Sequence, residues 1–178
     1  FNFIFSKNFL KLAKLGCLNL HPSLLPKYRG QSPQHWPILN FDKFYGLTVH
    51  FMTNEIDRGN ILFQKKLILP KNIYISSLQE NLRKFYALAI FNSINLIKNG
   101  SKGRKQNENK KIYKGKISTN NMMINLKDTI EQAFAKIRAF SHPYNGARFK
   151  NFIIWRSSNK IFKIKKKMVY IELKISSI

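Results

Sequence analysis

The stretch Cys17-Leu18-Asn19-Leu20-His21-Pro22-Ser23-Leu24-Leu25-Pro26-Lys27-Tyr28-Arg29-Gly30 decides how the chain is read. Cys17 to Leu20 is apolar except at Asn19, the composition of a short buried strand. From His21 onward two prolines and a closing glycine make an ordered loop rather than more strand. An asparagine inside an apolar strand is costly unless its amide is used. His21 lies two residues further on, and if the strand geometry persists it points to the same side as Asn19. An amide donor and a titratable imidazole then converge at a strand end, where open α/β sheets bind ligands. The bland alternative is a hydrogen-bonded edge pair.

The flanking sequence supplies the setting. The first fifteen residues read as a short strand and then a helix, with Phe9, Leu10, Leu12, Ala13 and Leu15 as its apolar face and Gly16 as its stop. Ser32-Pro33 opens a helix running towards Leu39, because proline suits a first turn. Residues 40–43 form a turn. Leu47 to Met52 and Ile61 to Leu69 have strand composition. The polar loop between them, residues 53–60, is too long for a tight hairpin and so has its own task. Asp57 in that loop suits an ordinary Asp-x-Gly turn; beside a histidine it would fix the tautomer and raise the pKa. Ser77 and Glu80 make a capping-box pattern ahead of one packing helix through Leu78, Leu82, Phe85, Tyr86, Ala89 and Ile97, stopped by Asn99-Gly100. Residues 101–116 are polar, basic and glycine-punctuated, which reads as an exposed linker. A shorter helix over 129–140 turns Ile130, Phe134 and Ile137 inward. Alternation at Phe152 and Ile154, Ile161 and Ile164, and Val169 and Ile171 then points to β structure.

Composition sets outer limits. At 178 residues the chain holds one core with at most a small appendage, and 44% hydrophobic residues fit a soluble globular protein. No apolar run reaches the roughly 18 residues of a membrane span. The single cysteine, Cys17, forms no intrachain disulfide, is compatible with a reducing cytoplasm, and reads as a small buried hydrophobe. The four histidines lack zinc-site spacing, so no metal is expected. A net charge of +24 favours anionic partners, RNA among them. Lysine supplies most of it, however, in a chain rich in Phe, Ile and Asn, as an AT-biased genome dictates, and the arginine forks of base readers are scarce.

The opening stretch resembles the signature loop of the formyl transferase family. Gly46-Leu47-Thr48-Val49-His50-Phe51-Met52 with Ile56-Asp57-Arg58-Gly59-Asn60-Ile61-Leu62 resembles the family's second block. Ile137-Arg138-Ala139-Phe140 through Pro143-Tyr144-Asn145-Gly146-Ala147 is similar to the start of its carboxyl-terminal region. The likeness covers about residues 1–155. It implies an α/β fold: the carboxyl-terminal part of an open Rossmann-like sheet, then a small β-containing tail subdomain. The implied division is a catalytic domain over 1–103, lacking strands that normally lie upstream of Phe1, a basic linker over 104–116, and an α+β unit over 117–178 related to part of an oligonucleotide-binding-like barrel. Short of those strands, the piece is expected to be inactive or unstable alone.

The resemblance also implies a reaction. An acceptor amine attacks the formyl carbon of N10-formyltetrahydrofolate, with Asn19 and protonated His21 stabilising the oxyanion and Asp57 orienting His21. Thr48 supports the site from behind. Asn54, Glu55, Ile56 and Asp57 lie against the pterin, and Ser23, Leu24, Leu25 and Pro26 shape the wall near the reacting centre. Three acceptors compete. Ser32-Pro33 with Trp36, the Thr48 to Met52 strand and Ser141-His142-Pro143-Tyr144 look closer to enzymes acting on amino-sugar nucleotides. Initiator methionyl-tRNA is the alternative, weighed against by the short tail, and glycinamide ribonucleotide comes third. A non-enzyme reading is a basic RNA-binding remnant of a transferase.

Overall fold

The computed structural model describes residues 5–157. Its centre is a three-stranded antiparallel sheet of β1 (Leu18–His21), β3 (Phe44–Phe51) and β4 (Ile61–Ile68), with β3 in the middle. Alternation along β3 gives its two faces different work. Tyr45, Leu47 and Val49 point into the main core, while Thr48 and His50 are just as buried on the other face. Two buried polar side chains on a central strand need partners, and those partners build the site. At the far end of β3, Val49 pairs with Phe63 but His50 pairs with Ile61. Leu62 is therefore an extra residue, and the bulge twists the ladder beside His50.

Helices cover the apolar face. α3 (Ile75–Arg83), α4 (Tyr86–Lys98) and α6 (Ile130–Phe140) deliver Ile75, Leu78, Leu82, Ala89, Ala135, Ala139 and Phe140 to the core, joined by Ile38 of α2 (His35–Leu39). Each residue here that is nearly solvent-free contributes on the order of 1.5–3 kcal/mol for a large aliphatic side chain. α6 also serves a second cluster. Its Ile137 packs with Ile124, Ala147 and Ile154, beneath the hairpin of β6 (Ala147–Phe149) and β7 (Phe152–Ile154). With the short α5 (Thr119–Met122), whose Met122 packs on the main core, α6 thus ties residues 117–157 to the main body.

Several local expectations change. The single helix after residue 77 is two, α3 and α4, and Ser77 and Glu80 lie inside α3, whose N-cap is Tyr74 with no side-chain cap bond. Complete burial of Ile75 and Leu78 sets where that helix starts, outweighing a cap worth about 1 kcal/mol. The first helix, α1 (Lys7–Lys11), is a five-residue piece with no buried residue, and Phe9, Leu12 and Leu15 stay exposed. The strand expected before it falls at residues 1–4, outside the described residues. α2 begins at His35, two residues beyond the Ser32-Pro33 opening. α6 is capped by Thr129 and Gln132 in a true capping box, with Ile130 outward at 58% exposure. The β structure expected around Ile161 to Ile171 lies outside the described residues, and within them the tail shows one hairpin.

The largest change concerns residues 101–116. Most of them are exposed, as expected of a linker, but they form a strap hydrogen-bonded to the sheet. Arg104 and Ile61 exchange backbone hydrogen bonds of 2.7 and 2.8 Å. β5 (Tyr113–Lys114) pairs in parallel with β2 (Arg29–Gly30), and Gln106 is buried. Gly30 sits at φ +98, and a Cβ there would collide with the Lys114 carbonyl, so glycine is required for that pairing.

His35 gives the fold a testable pH dependence. It lies 3% exposed against the rings of Phe140 and Tyr144, and burial drives its pKa down to about 4 despite the Ser32 carbonyl at 3.3 Å. Below its ordinary value of 6.5 the unfolded chain binds a proton that the folded chain refuses until about 4, so stability falls as pH falls through that window. Urea unfolding of the wild type should lose about 2 kcal/mol more than His35→Gln between about pH 7 and pH 5. Equal losses would contradict the assignment.

Candidate active site

β1 and β3 place the polar side chains opposite one another. The register pairs Asn19 with His50 and His21 with Thr48, so all four project from the same face. The 53–60 loop then folds over the strand ends and inserts Asp57. Its carboxylate is the meeting point. Asn19 Nδ2 donates to Oδ1 at 3.2 Å and the Gly30 amide donates to Oδ2 at 2.8 Å. His21 Nδ1 is 3.5 Å from Oδ2, and His50 Nε2 is 3.5 Å from Oδ1. The side chains of His21, His50 and Asp57 are 5%, 2% and 12% exposed, so these contacts act with little screening.

Backbone carbonyls fix the tautomers. His21 Nε2 lies 2.8 Å from the Tyr28 carbonyl, and His50 Nδ1 lies 2.8 Å from that of Phe51. A nitrogen facing a carbonyl must carry the proton. Neutral His21 therefore presents Nδ1 towards Asp57, while His50 turns Nε2 towards the site, 3.3 Å from Asn19 Nδ2 and 3.5 Å from Asp57 Oδ1. His21 Nδ1 is where a new proton goes, with Asp57 ready to stabilise the imidazolium.

The expected rise in the His21 pKa is corrected. Burial lowers it, Asp57 and the Tyr28 carbonyl raise it, His50 lowers it, and the net direction is down. The resting ring at neutral pH is thus neutral. For Asp57, burial pushes upward, but His50, His21 and the Gly30 amide outweigh it and hold the carboxyl below its ordinary value. Asp57 is an anion.

Thr48 pairs with His21 in the strand register. Its hydroxyl donates to the Ser23 carbonyl at 2.7 Å and accepts from the Leu25 amide at 3.2 Å and from Gln64 Nε2 at 2.9 Å. The cleft above Asp57 has a volume of about 490 Å³ and includes Asn19, His21, His50, Glu55, Ile56 and Asp57 in its lining. Asn54 is exposed and outside it. Leu24, Leu25 and Pro26 face a second cavity, with buried Ser23 between, so the cleft wall comes instead from Pro22 and residues 30–33. The cis Leu25-Pro26 peptide lies in this turned-away segment.

Sequence reasoning missed His50, although a histidine in an apolar strand two residues after Thr48 carries the same signal as Asn19 and His21. It also missed Arg29 and Gln106, which meet across 77 residues with no local cue. Among the described residues no group of His, Cys, Asp and Glu is arranged to hold a metal ion, and no helix is long and apolar enough to cross a membrane.

A mixed α/β fold with an Asn, His and Asp cluster at its strand ends defines a class that the comparisons specify. The family profile described as Formyl transferase matches residues 1–94, and the chain belongs to that family. The methionyl-tRNA formyltransferase of Ehrlichia ruminantium (strain Gardel) is 35% identical over 155 residues, covering 84% of this chain and 50% of the relative. The chain thus spans about half the length of the curated relatives it matches. Among solved structures, an N-formyltransferase from Helicobacter canadensis in complex with folinic acid and dTDP-3-aminofucose is 35% identical with a TM-score of 0.61, over 69% of this chain and 46% of that one. A sugar N-formyltransferase from Shewanella sp FDAARGOS_354 is 28% identical with a TM-score of 0.69, over 82% and 63%.

Asp57→Asn removes the charge that opposes the fall in the His21 pKa. An NMR titration of the His21 ring should therefore show a lower midpoint in the variant than in the wild type. An unchanged or higher midpoint would mean that Asp57 does not face His21 in solution.

Proposed function

We propose that the protein carrying this chain transfers a formyl group from N10-formyltetrahydrofolate to a primary amine, and that Asn19, His21 and Asp57 do the chemistry. The observation that carries this is the convergence of an amide, a neutral imidazole and an ionised carboxylate in one cleft. The amine nitrogen attacks the formyl carbon, and the carbonyl pair moves to oxygen. The amine's proton passes to His21 Nδ1, where Asp57 stabilises the imidazolium. The C–N10 bond then breaks, N10 keeps the pair and takes a proton from His21, and the products are a formamide and tetrahydrofolate. No covalent enzyme intermediate is needed.

The oxyanion takes its hydrogen bond from Asn19. Asn19 Nδ2 is engaged in the resting cleft with both the Asp57 carboxylate and the His50 ring. The bond to a charged acceptor is the stronger, so the longer one, 3.3 Å to His50, gives way to the formyl oxygen. Residues 55–57 border the folate, and Thr48 keeps the loop after His21 in place.

An amino-sugar nucleotide is the first acceptor, supported by the Helicobacter relative whose complex holds dTDP-3-aminofucose. Initiator methionyl-tRNA is the second reading, supported by the 35% identical Ehrlichia relative and a net charge of +24. Both present a primary amine on a phosphate-bearing carrier, so a Lys-rich surface suits either. Assays of the full-length protein with N10-formyltetrahydrofolate and each acceptor in turn separate them. His21→Ala and Asn19→Ala should each lower kcat by about 10²–10³-fold with the true acceptor. Near-normal turnover in His21→Ala would sink the mechanism. Retained salt-dependent RNA binding with no formyl transfer would favour the non-catalytic remnant.

A further inference from the structure

The strap contributes side chains that neither the reaction nor the fold's apolar packing explains. Arg29 is fully buried, and its guanidinium donates to Gln106 Oε1 from Nε at 3.0 Å and from Nη2 at 2.7 Å. Its remaining N–H groups go to Glu108 at 2.7 and 3.2 Å and to the Tyr113 hydroxyl at 3.0 Å. Glu108 supplies the counter-charge, and its carboxyl is held down to about 2, chiefly by the Arg29 hydrogen bonds. Because Arg29 claims Gln106 Oε1, the amide has one orientation. Its Nε2 must face the opposite way, where it donates to the carbonyls of Asp57 and Gly59 at 2.8 Å each. Gln106 is thereby fully satisfied while 9% exposed.

Those two carbonyls belong to the segment that most needs holding. Asp57 has φ +51, a left-handed conformation that a non-glycine residue adopts at a cost of about 1–2 kcal/mol unless its surroundings enforce it. Gly59 packs so tightly on the Phe51 carbonyl that a side chain there would overlap it. Gln106 thus grips the backbone on both sides of Arg58, while the Asp57 side chain is gripped by Asn19 and Gly30. Side-chain bonds set where the carboxylate ends. The backbone bonds set where it starts.

We propose that Gln106, oriented by buried Arg29, is a positioning residue for the reaction: it holds the 57–59 backbone so that the Asp57 carboxylate reaches His21 and Asn19. The proposal deepens the formyl-transfer reading and rests on it only for its kinetic arm. A region of sequence with the composition of a linker is, in this account, part of the catalytic machinery's support. A misplacement of about 1 Å in such a support costs on the order of 10²-fold in rate.

Gln106→Glu isolates the effect. The new carboxylate keeps Arg29 paired, so the buried guanidinium is not abandoned, but it puts oxygen lone pairs against the Asp57 and Gly59 carbonyls and repels them. The first readout is the NMR titration of His21, whose ring faces Asp57, His50 and the Tyr28 carbonyl and can be followed whether or not the protein transfers formyl groups. Drawing Asp57 away removes the influence that raises the His21 pKa, so the midpoint should move down in Gln106→Glu. In an Asp57→Asn background the same substitution should not lower it, because Gln106 acts through that carboxylate and the new charge by itself can only raise the midpoint. The second readout, on the full-length protein, is a fall in kcat of about 10- to 100-fold with KM for the acceptor within about threefold. Gln106→Ala, which leaves the buried Arg29 Nε without its acceptor, should instead lose thermal stability as well. A folded Gln106→Glu whose His21 midpoint is not lowered, or a downward shift of the same size with and without Asp57, would overturn the proposal. A shifted midpoint in a protein that transfers no formyl group would support the positioning role and reject the reaction.

Discussion

A single buried carboxylate organises this molecule. Asp57 brings together β1 through Asn19 and His21, β2 through the Gly30 amide, and β3 through His50. An anion in so dry a place is unfavourable by several kcal/mol unless it is satisfied on several sides. The structure meets that cost with directed donors, among them Asn19 Nδ2 and the Gly30 amide, and the carboxyl stays ionised. The same bonds that make the charge tolerable bring an amide and an imidazole to the mouth of the cleft. Stability and chemical arrangement have a common origin here.

The sheet explains how such a cluster is sustained. β3 is buried on both faces, apolar towards the helices and polar towards the cleft, so Thr48 and His50 must be hydrogen-bonded. Thr48 uses its hydroxyl to hold the Ser23 and Leu25 backbone, and Gln64 of β4 reinforces both contacts by donating to Thr48 and to the Leu25 carbonyl. His50 spends Nδ1 on Phe51 and keeps Nε2 for the site. Each buried polar atom in this group has a partner within the chain. That completeness fixes positions, and it leaves His21 Nδ1, with Nε2 held by the Tyr28 carbonyl, facing the site beside Asp57.

Much of this was legible in the residues, and what was missed has a common cause. β1, β3, β4 and α6 were visible because alternation, helical spacing and turn residues are local signals. Asn19 and His21 stood out as polar residues at the end of an apolar strand. His50 carries the same signal and was overlooked. The protonation state of His21 was misjudged because a nearby carboxylate is evident from motif spacing, whereas the desolvation that outweighs it depends on how the whole site is covered. The direction taken by residues 23–26 was likewise set by the Thr48 and Gln64 bonds, which are tertiary. Residues 101–116 were misread most. A basic, glycine-punctuated sequence has linker composition, and nothing local shows that its Gln106 lies in the grip of an arginine 77 residues earlier.

A crystal structure of the full-length protein with folinic acid, whose formyl group mimics the transferred one, would test the central claim most directly. The account predicts the pteridine in the cleft beside residues 55–57. The formyl oxygen should lie about 3 Å from Asn19 Nδ2, with that nitrogen released from His50, and His21 Nδ1 on the side from which an amine approaches. Folate bound in the second cavity by Leu24 and Phe44, or a formyl group out of reach of both Asn19 and His21, would contradict it.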